Sequence, residues 1–174
     1  MKHHLSEIEL MEAARLHPTR KLQKAWGGFV AQWPWEWFVT LTFCLDLHPE
    51  RALKLYRFWC SLLNREIYGR YWYRKEPFGV TWVVAVERQN SGRVHLHALI
   101  AGVGETRRLS WMDTWLELDK VSGFARIEPV NDRVAVSSYV SKYVAKDGDL
   151  EFSPNLRIRL PDLFDPDPEP ESET

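Results

Sequence analysis

The sequence predicts an α+β fold, a four- to five-stranded antiparallel sheet with helices on one face. Three observations carry this. Short β-branched and aromatic runs alternate with longer stretches of helical period. Two of those runs, GVTWVVAVE (79–87) and RVHLHALI (93–100), are joined by RQNSG, a hairpin sequence. The order of the runs is strand–helix–strand–strand–helix–strand, and that order folds into a sheet with one face left for a site.

The elements follow in chain order. LSEIELMEAARL (5–16) has helical periodicity, with Ser6 as a candidate cap. TRKLQKAWGGFVAQ (19–32) reads as a second helix, weakened by Gly27 and Gly28. After Pro34, WEWFVTLTF (35–43) is a strand; Val39, Leu41 and Phe43 point one way, Thr40 and Thr42 the other. HPERALKLYRFWCSLLNREIYG (48–69) is a long helix, with Pro49 in its first turn and Gly69 past its end. Strands 79–87 and 93–100 follow. RRLSWMDTWLELDK (107–120) carries a Ser110-x-x-Asp113 start and an amphipathic helix. GFARIEPV (123–130) is a fourth strand, and NDRVAVSSYVSKYVAKDG (131–148) a last helix stopped at Gly148. This is the ferredoxin-like, RRM-like layout. Many functions share it, so function has to be argued from the site.

At 174 residues, 45% hydrophobic and 27% charged, the chain suits one ordinary globular domain. No run approaches the roughly 20 apolar residues that span a bilayer. The start, MKHHLSEIEL, lacks the apolar core of a signal peptide. Cys44 and Cys60 have no metal-like spacing and suit reduced thiols, so a cytoplasmic location is expected. The net charge of −1 hides an asymmetry. The last fourteen residues, PDLFDPDPEPESET, hold six acids and no base, leaving 23 basic and 18 acidic residues, or +5, in residues 1–160. The Pro-rich acidic tail cannot bury enough apolar surface to order itself. It is read as solubilising, as a nucleic-acid mimic, or as a partner-binding peptide.

VERQNSGRVHLHALI (86–100) holds the first chemical constellation. His95 and His97 share one face of their strand; Val94, Leu96, Ala98 and Ile100 share the other. With Asn90-Ser91-Gly92 as a three-residue loop, Gly92 takes the left-handed position. Gln89 then faces Arg93, and Glu87 faces His95. Two imidazoles and a carboxylate suit a divalent metal with open positions. The plainer reading is a pair of solvent-facing sheet histidines.

The second constellation is YVSKYVAK (139–146), a Tyr-x-x-Lys unit repeated four residues apart. On a helix, Val136, Val140 and Val144 form the apolar stripe, and Tyr139 and Tyr143 stack at its edge beside Lys142 and Lys146. A free phenol, with pKa about 10, is a poor nucleophile at neutral pH, and an adjacent ammonium favours the phenolate. The plainer reading is two amphipathic tyrosines at a core edge with solvated lysines.

Together, FVTLTF, HLH (95–97) and YVSKYVAK resemble the three motifs of the HUH endonuclease superfamily, over roughly residues 36–148. The doubled tyrosine resembles the two-tyrosine rolling-circle replication initiators of phages and plasmids. The resemblance implies an endonuclease domain over 35–150, between an N-terminal helical extension (1–34) and a C-terminal extension (151–174). It implies Mg²⁺ or Mn²⁺ held by Glu87, His95 and His97, and Tyr139 and Tyr143 as nucleophiles accompanied by Lys142 and Lys146. The implied reaction cuts one DNA strand, forms a 5′-phosphotyrosine link and frees a 3′-OH. GVGETRR (102–108) lacks the lysine of a phosphate-binding loop, so unwinding and synthesis are expected from a separate host helicase and polymerase.

The expected partner is single-stranded DNA or an origin hairpin. YGRYWYRK (68–75) interleaves Arg70, Arg74 and Lys75 with Tyr71, Trp72 and Tyr73, a composition for stacking bases and tracking phosphates, or for a tyrosine-rich core edge. Arg88 and Arg93 flank the histidine strand as candidate phosphate contacts. WPWEW (33–37) reads as core packing and a turn. The rival functions are a single-strand transposase of the same superfamily, a non-catalytic nucleic-acid-binding module, and a metal hydrolase that uses water as nucleophile.

Overall fold

The computed structural model describes residue 28 and residues 33–74, 78–89, 92–132 and 150–156. The two N-terminal helices, the 131–148 helix and the acidic tail lie outside the described residues, but for Gly28 and positions 131 and 132. So do Lys75, Tyr139, Lys142, Tyr143 and Lys146.

The sheet is built from β1 (Trp37–Phe43), β2 (Thr81–Arg88), β3 (Val94–Ala101), β4 (Ser122–Pro129) and β5 (Leu150–Phe152). Every neighbouring pair is antiparallel, in the order β4-β1-β3-β2-β5. The first four strands have the expected ferredoxin-like arrangement, and β5 extends it beside β2. Strand β3 is therefore the middle of five, paired on both sides.

Helices α1 (Pro49–Tyr68) and α2 (Arg108–Leu118) cover one face. Alternation along the strands turns Val39, Leu41, Trp82, Val84, Leu96, Ala98 and Ile100 toward them, all buried. Three tryptophans join the layers. Trp59 of α1 packs edge-on against Trp111 and Trp115 of α2. Each indole N–H is paired: Trp59 donates to the Trp111 carbonyl, Trp111 to Glu66, and Trp115 to the Thr42 carbonyl of β1. Large rings with satisfied N–H groups anchor a core without leaving a buried donor unpaired.

The ends of α1 follow the sequence. His48 caps the N-terminus by accepting from Glu50 N–H, Pro49 fills the first turn, and Gly69, at φ 83°, ends the helix. Helix α2 differs from its expectation. It begins at Arg108 with no side-chain cap, so Ser110 lies inside it rather than at its start. There the Ser110 carbonyl accepts from the Thr114 hydroxyl.

The opposite face is only partly open. Trp35, Val83, Leu99, Ala101 and Leu156 form a second small core on it, with Phe38, Leu150 and Phe152 alongside. Its members come from the far halves of β2 and β3 and from the segment around β5. Trp35 and Trp37 are both buried, so the WPWEW stretch is core packing.

Candidate metal and nucleic-acid site

Beyond the second core, the same face carries the two histidines. Gly92 adopts φ 85°, and Gln89 bonds to both Gly92 and Arg93, closing the hairpin. That register sets Glu87 opposite His95 and Ala85 opposite His97. On the other side of β3, Thr40 of β1 lies opposite His97.

His97 is buried, at 6% exposure, and both its ring nitrogens are engaged. Nε2 lies 3.0 Å from Glu87 Oε2, and Nδ1 lies 3.2 Å from Thr40 Oγ1. Phe38 stacks on the ring, 6.2 Å between centroids and 13° from parallel. His95 is more open, with Nδ1 3.1 Å from the Gln89 side-chain amide. Burial pushes both imidazoles below their usual pKa, against the opposing pull of Glu87. Both rings are thereby biased to the neutral form that can ligate a metal.

Among the described residues, no three His, Cys, Asp or Glu side chains are drawn into a metal-holding cluster. In this arrangement Glu87 itself takes the His97 Nε2. The donor set nevertheless fits a divalent ion. Two imidazoles and one carboxylate share one side of a hairpin, and each ring has a partner on its Nδ1. Ligating histidines characteristically have such a partner behind them.

The arginines separate. Arg93 alternates onto the histidine face, and its charge helps depress His95. Arg88 is paired with Val94, on the opposite face, and its guanidinium lies 4.0 Å from Asp46. The aromatic–basic segment is also remote. Tyr68 donates to the Gly102 carbonyl, just past the far end of β3 from His95. Residues 70–74 follow directly, and Trp72–Arg74 form a 3-10 turn. Six residues of strand separate His95 from Ala101, about 20 Å at about 3.3 Å per residue. Within this segment Arg74 lies over the rings of Tyr71 and Tyr73, at 4.8 and 5.6 Å, and both rings are exposed. Trp72 meets Tyr73 edge-on.

Two neighbours of the histidines were not singled out by the sequence. Thr40 had a signal, since alternation set it off the core face, but its partner depends on the β1–β3 register. Gln89 had one too, two residues along the strand from Glu87.

The fold and this site define an antiparallel-sheet protein with a histidine pair at the centre of its sheet. The chain belongs to the replication-associated protein ORF2 family, whose model matches residues 36–148. The match takes in the FVTLTF strand, the HLH strand and the YVSKYVAK segment, and agrees with the wider superfamily resemblance. No curated protein matches the chain. Among solved structures, it is similar to the crystal structure of the hypothetical protein ORF119 from Sulfolobus islandicus rod-shaped virus 1. That similarity is 18% identity with a TM-score of 0.42, over 72% of this chain and 92% of the other. Among the described residues, no helix is long and apolar enough to cross a membrane.

Proposed function

We propose that the chain is a metal-dependent endonuclease and strand transferase for single-stranded DNA, acting through a phosphotyrosine link to start rolling-circle replication. The observation that carries this is the convergence of Glu87, His95 and His97 on one sheet face, in a chain of a replication-associated family.

Glu87, His95 and His97 would hold Mg²⁺ or Mn²⁺, which when bound polarises a phosphate oxygen and orients the scissile bond. Tyr139 or Tyr143 supplies the nucleophile. Its phenolic oxygen bonds to phosphorus as the bond from phosphorus to the 3′ oxygen breaks. That oxygen takes a proton and leaves as a 3′-OH, while the 5′ phosphate stays on tyrosine. The ester conserves the bond energy for rejoining. Lys142 and Lys146, three residues beyond each tyrosine, favour the phenolate and offset phosphate charge. A second tyrosine four residues away can attack next without release of the first strand. Arg93 is the arginine best placed to meet a flanking phosphate. Arg70, Trp72, Arg74 and Lys75 would hold DNA further along.

The test is incubation of the full chain with labelled single-stranded origin DNA and Mn²⁺, followed by denaturing electrophoresis. A protein–DNA adduct is expected, and it should vanish in Tyr139→Phe combined with Tyr143→Phe. Cleavage without an adduct would point to water as nucleophile. Binding without cleavage would point to the non-catalytic module.

A further inference from the structure

We propose that Thr40 is a positioning residue that lets His97 present Nε2 to a metal ion, by serving its Nδ1 in both protonation patterns of the ring. The inference rests on the metal-site reading above.

The argument starts from hydrogen-bonding capacity. Glu87 Oε2 sits 3.0 Å from His97 Nε2, and a carboxylate only accepts. In this arrangement Nε2 therefore carries a proton. In the neutral ring Nδ1 then holds a lone pair, and Thr40 Oγ1, 3.2 Å away, donates to it. A metal ion needs the lone pair on Nε2 instead. The ring's single proton must then sit on Nδ1, and the neighbour of Nδ1 must accept. The protons balance: Nε2 gives one to water, Nδ1 takes one from water, and the ring stays neutral.

A hydroxyl suits this exchange because it both donates and accepts. It reverses its role by turning about the Cβ–Oγ1 bond while every heavy atom stays in place. The surroundings hold those atoms still. Thr40 lies directly opposite His97 in the β1–β3 register, and its branched side chain is stiff at χ1. Phe38 stacks on the imidazole and Glu87 holds its far side. A purely structural hydrogen bond needs only one direction. His95 has a looser counterpart, since the Gln89 amide at its Nδ1 must turn end over end to change from donor to acceptor.

The test uses the full chain, with Mn²⁺ affinity read by electron paramagnetic resonance and the His97 ring nitrogens by ¹⁵N NMR, with and without Mg²⁺. We expect a proton on Nε2 in the metal-free protein and on Nδ1 once Mg²⁺ is saturating. Thr40→Val should weaken Mn²⁺ binding about 10- to 100-fold, the range for removing a partner behind a metal ligand. Thr40→Ser should restore most of the affinity. Wild-type Mn²⁺ affinity in a folded Thr40→Val protein would overturn the proposal. So would a proton that stays on Nε2 in the Mg²⁺-saturated wild type, a readout that stands even where the valine variant fails to fold. A wild-type chain that binds no Mn²⁺ would instead sink the metal-site reading, and this proposal with it.

Discussion

Glu87 is paired in register with His95, yet its carboxylate reaches diagonally to His97, 3.0 Å from Nε2. Diagonal neighbours across an antiparallel pair lie within reach of a long side chain. One carboxylate thus acts on both imidazoles, and its charge opposes the burial of each. Replacing Glu87 by Gln keeps the size and a hydrogen-bonding oxygen but removes the charge. We expect Glu87→Gln to fold normally by circular dichroism and to lose Mn²⁺ affinity by about tenfold or more. Calorimetric titration with Mn²⁺ checks this.

The histidines also set a pH dependence. Burial lowers both below the ordinary value of 6.5, so the folded chain resists protonation there more than the unfolded chain does. The unfolded chain binds more protons as pH falls, and stability falls with it. The contribution is therefore whole above pH 6.5 and is lost as pH drops through the folded-state values. Thermal melts across that range should show the midpoint falling on the acid side, with a shallower fall in His97→Gln.

The tryptophan cluster governs stability rather than chemistry. Trp59 is fully buried, and its indole donates to Trp111 of α2. Trp59→Ala should cost about 3–5 kcal/mol, the usual loss for a large buried aromatic. Urea unfolding monitored by far-UV circular dichroism gives the number.

The aromatic–basic turn lies about 20 Å along the sheet from His95, at about 3.3 Å per residue. Arg70→Ala combined with Arg74→Ala should therefore weaken DNA binding while sparing the cleavage rate at saturating DNA. Each lost phosphate contact lowers the salt dependence of single-strand binding by about 0.7 in log–log slope. Fluorescence anisotropy at several salt concentrations measures that slope. An equal fall in saturated cleavage rate would mean that these residues act at the scissile phosphate.

Much of this was legible in the sequence because it rests on local chemistry. Pro49 and Gly69 bracket α1, and Gly92 pins the hairpin that sets Glu87 against His95. What escaped depends on contacts between distant segments. The pairing of Thr40 with His97 joins strands 57 positions apart. Strand β5 is three residues long, too short for a periodic pattern, and is held by its ladder to β2. The Ser110-x-x-Asp113 pattern imitates a helix start, but the chain is already helical two residues earlier. Arg88 and Arg93 look alike as flanks of the hairpin, and only strand alternation separates their faces.

The most direct measurement is peptide mapping by mass spectrometry of the adduct formed with single-stranded origin DNA and Mn²⁺. The account predicts a 5′-phosphate nucleotide remnant on Tyr139 or Tyr143, and no adduct in His97→Ala that still binds DNA. A remnant on any other residue, or cleaved DNA bearing a free 5′ phosphate and no linked protein, would contradict it.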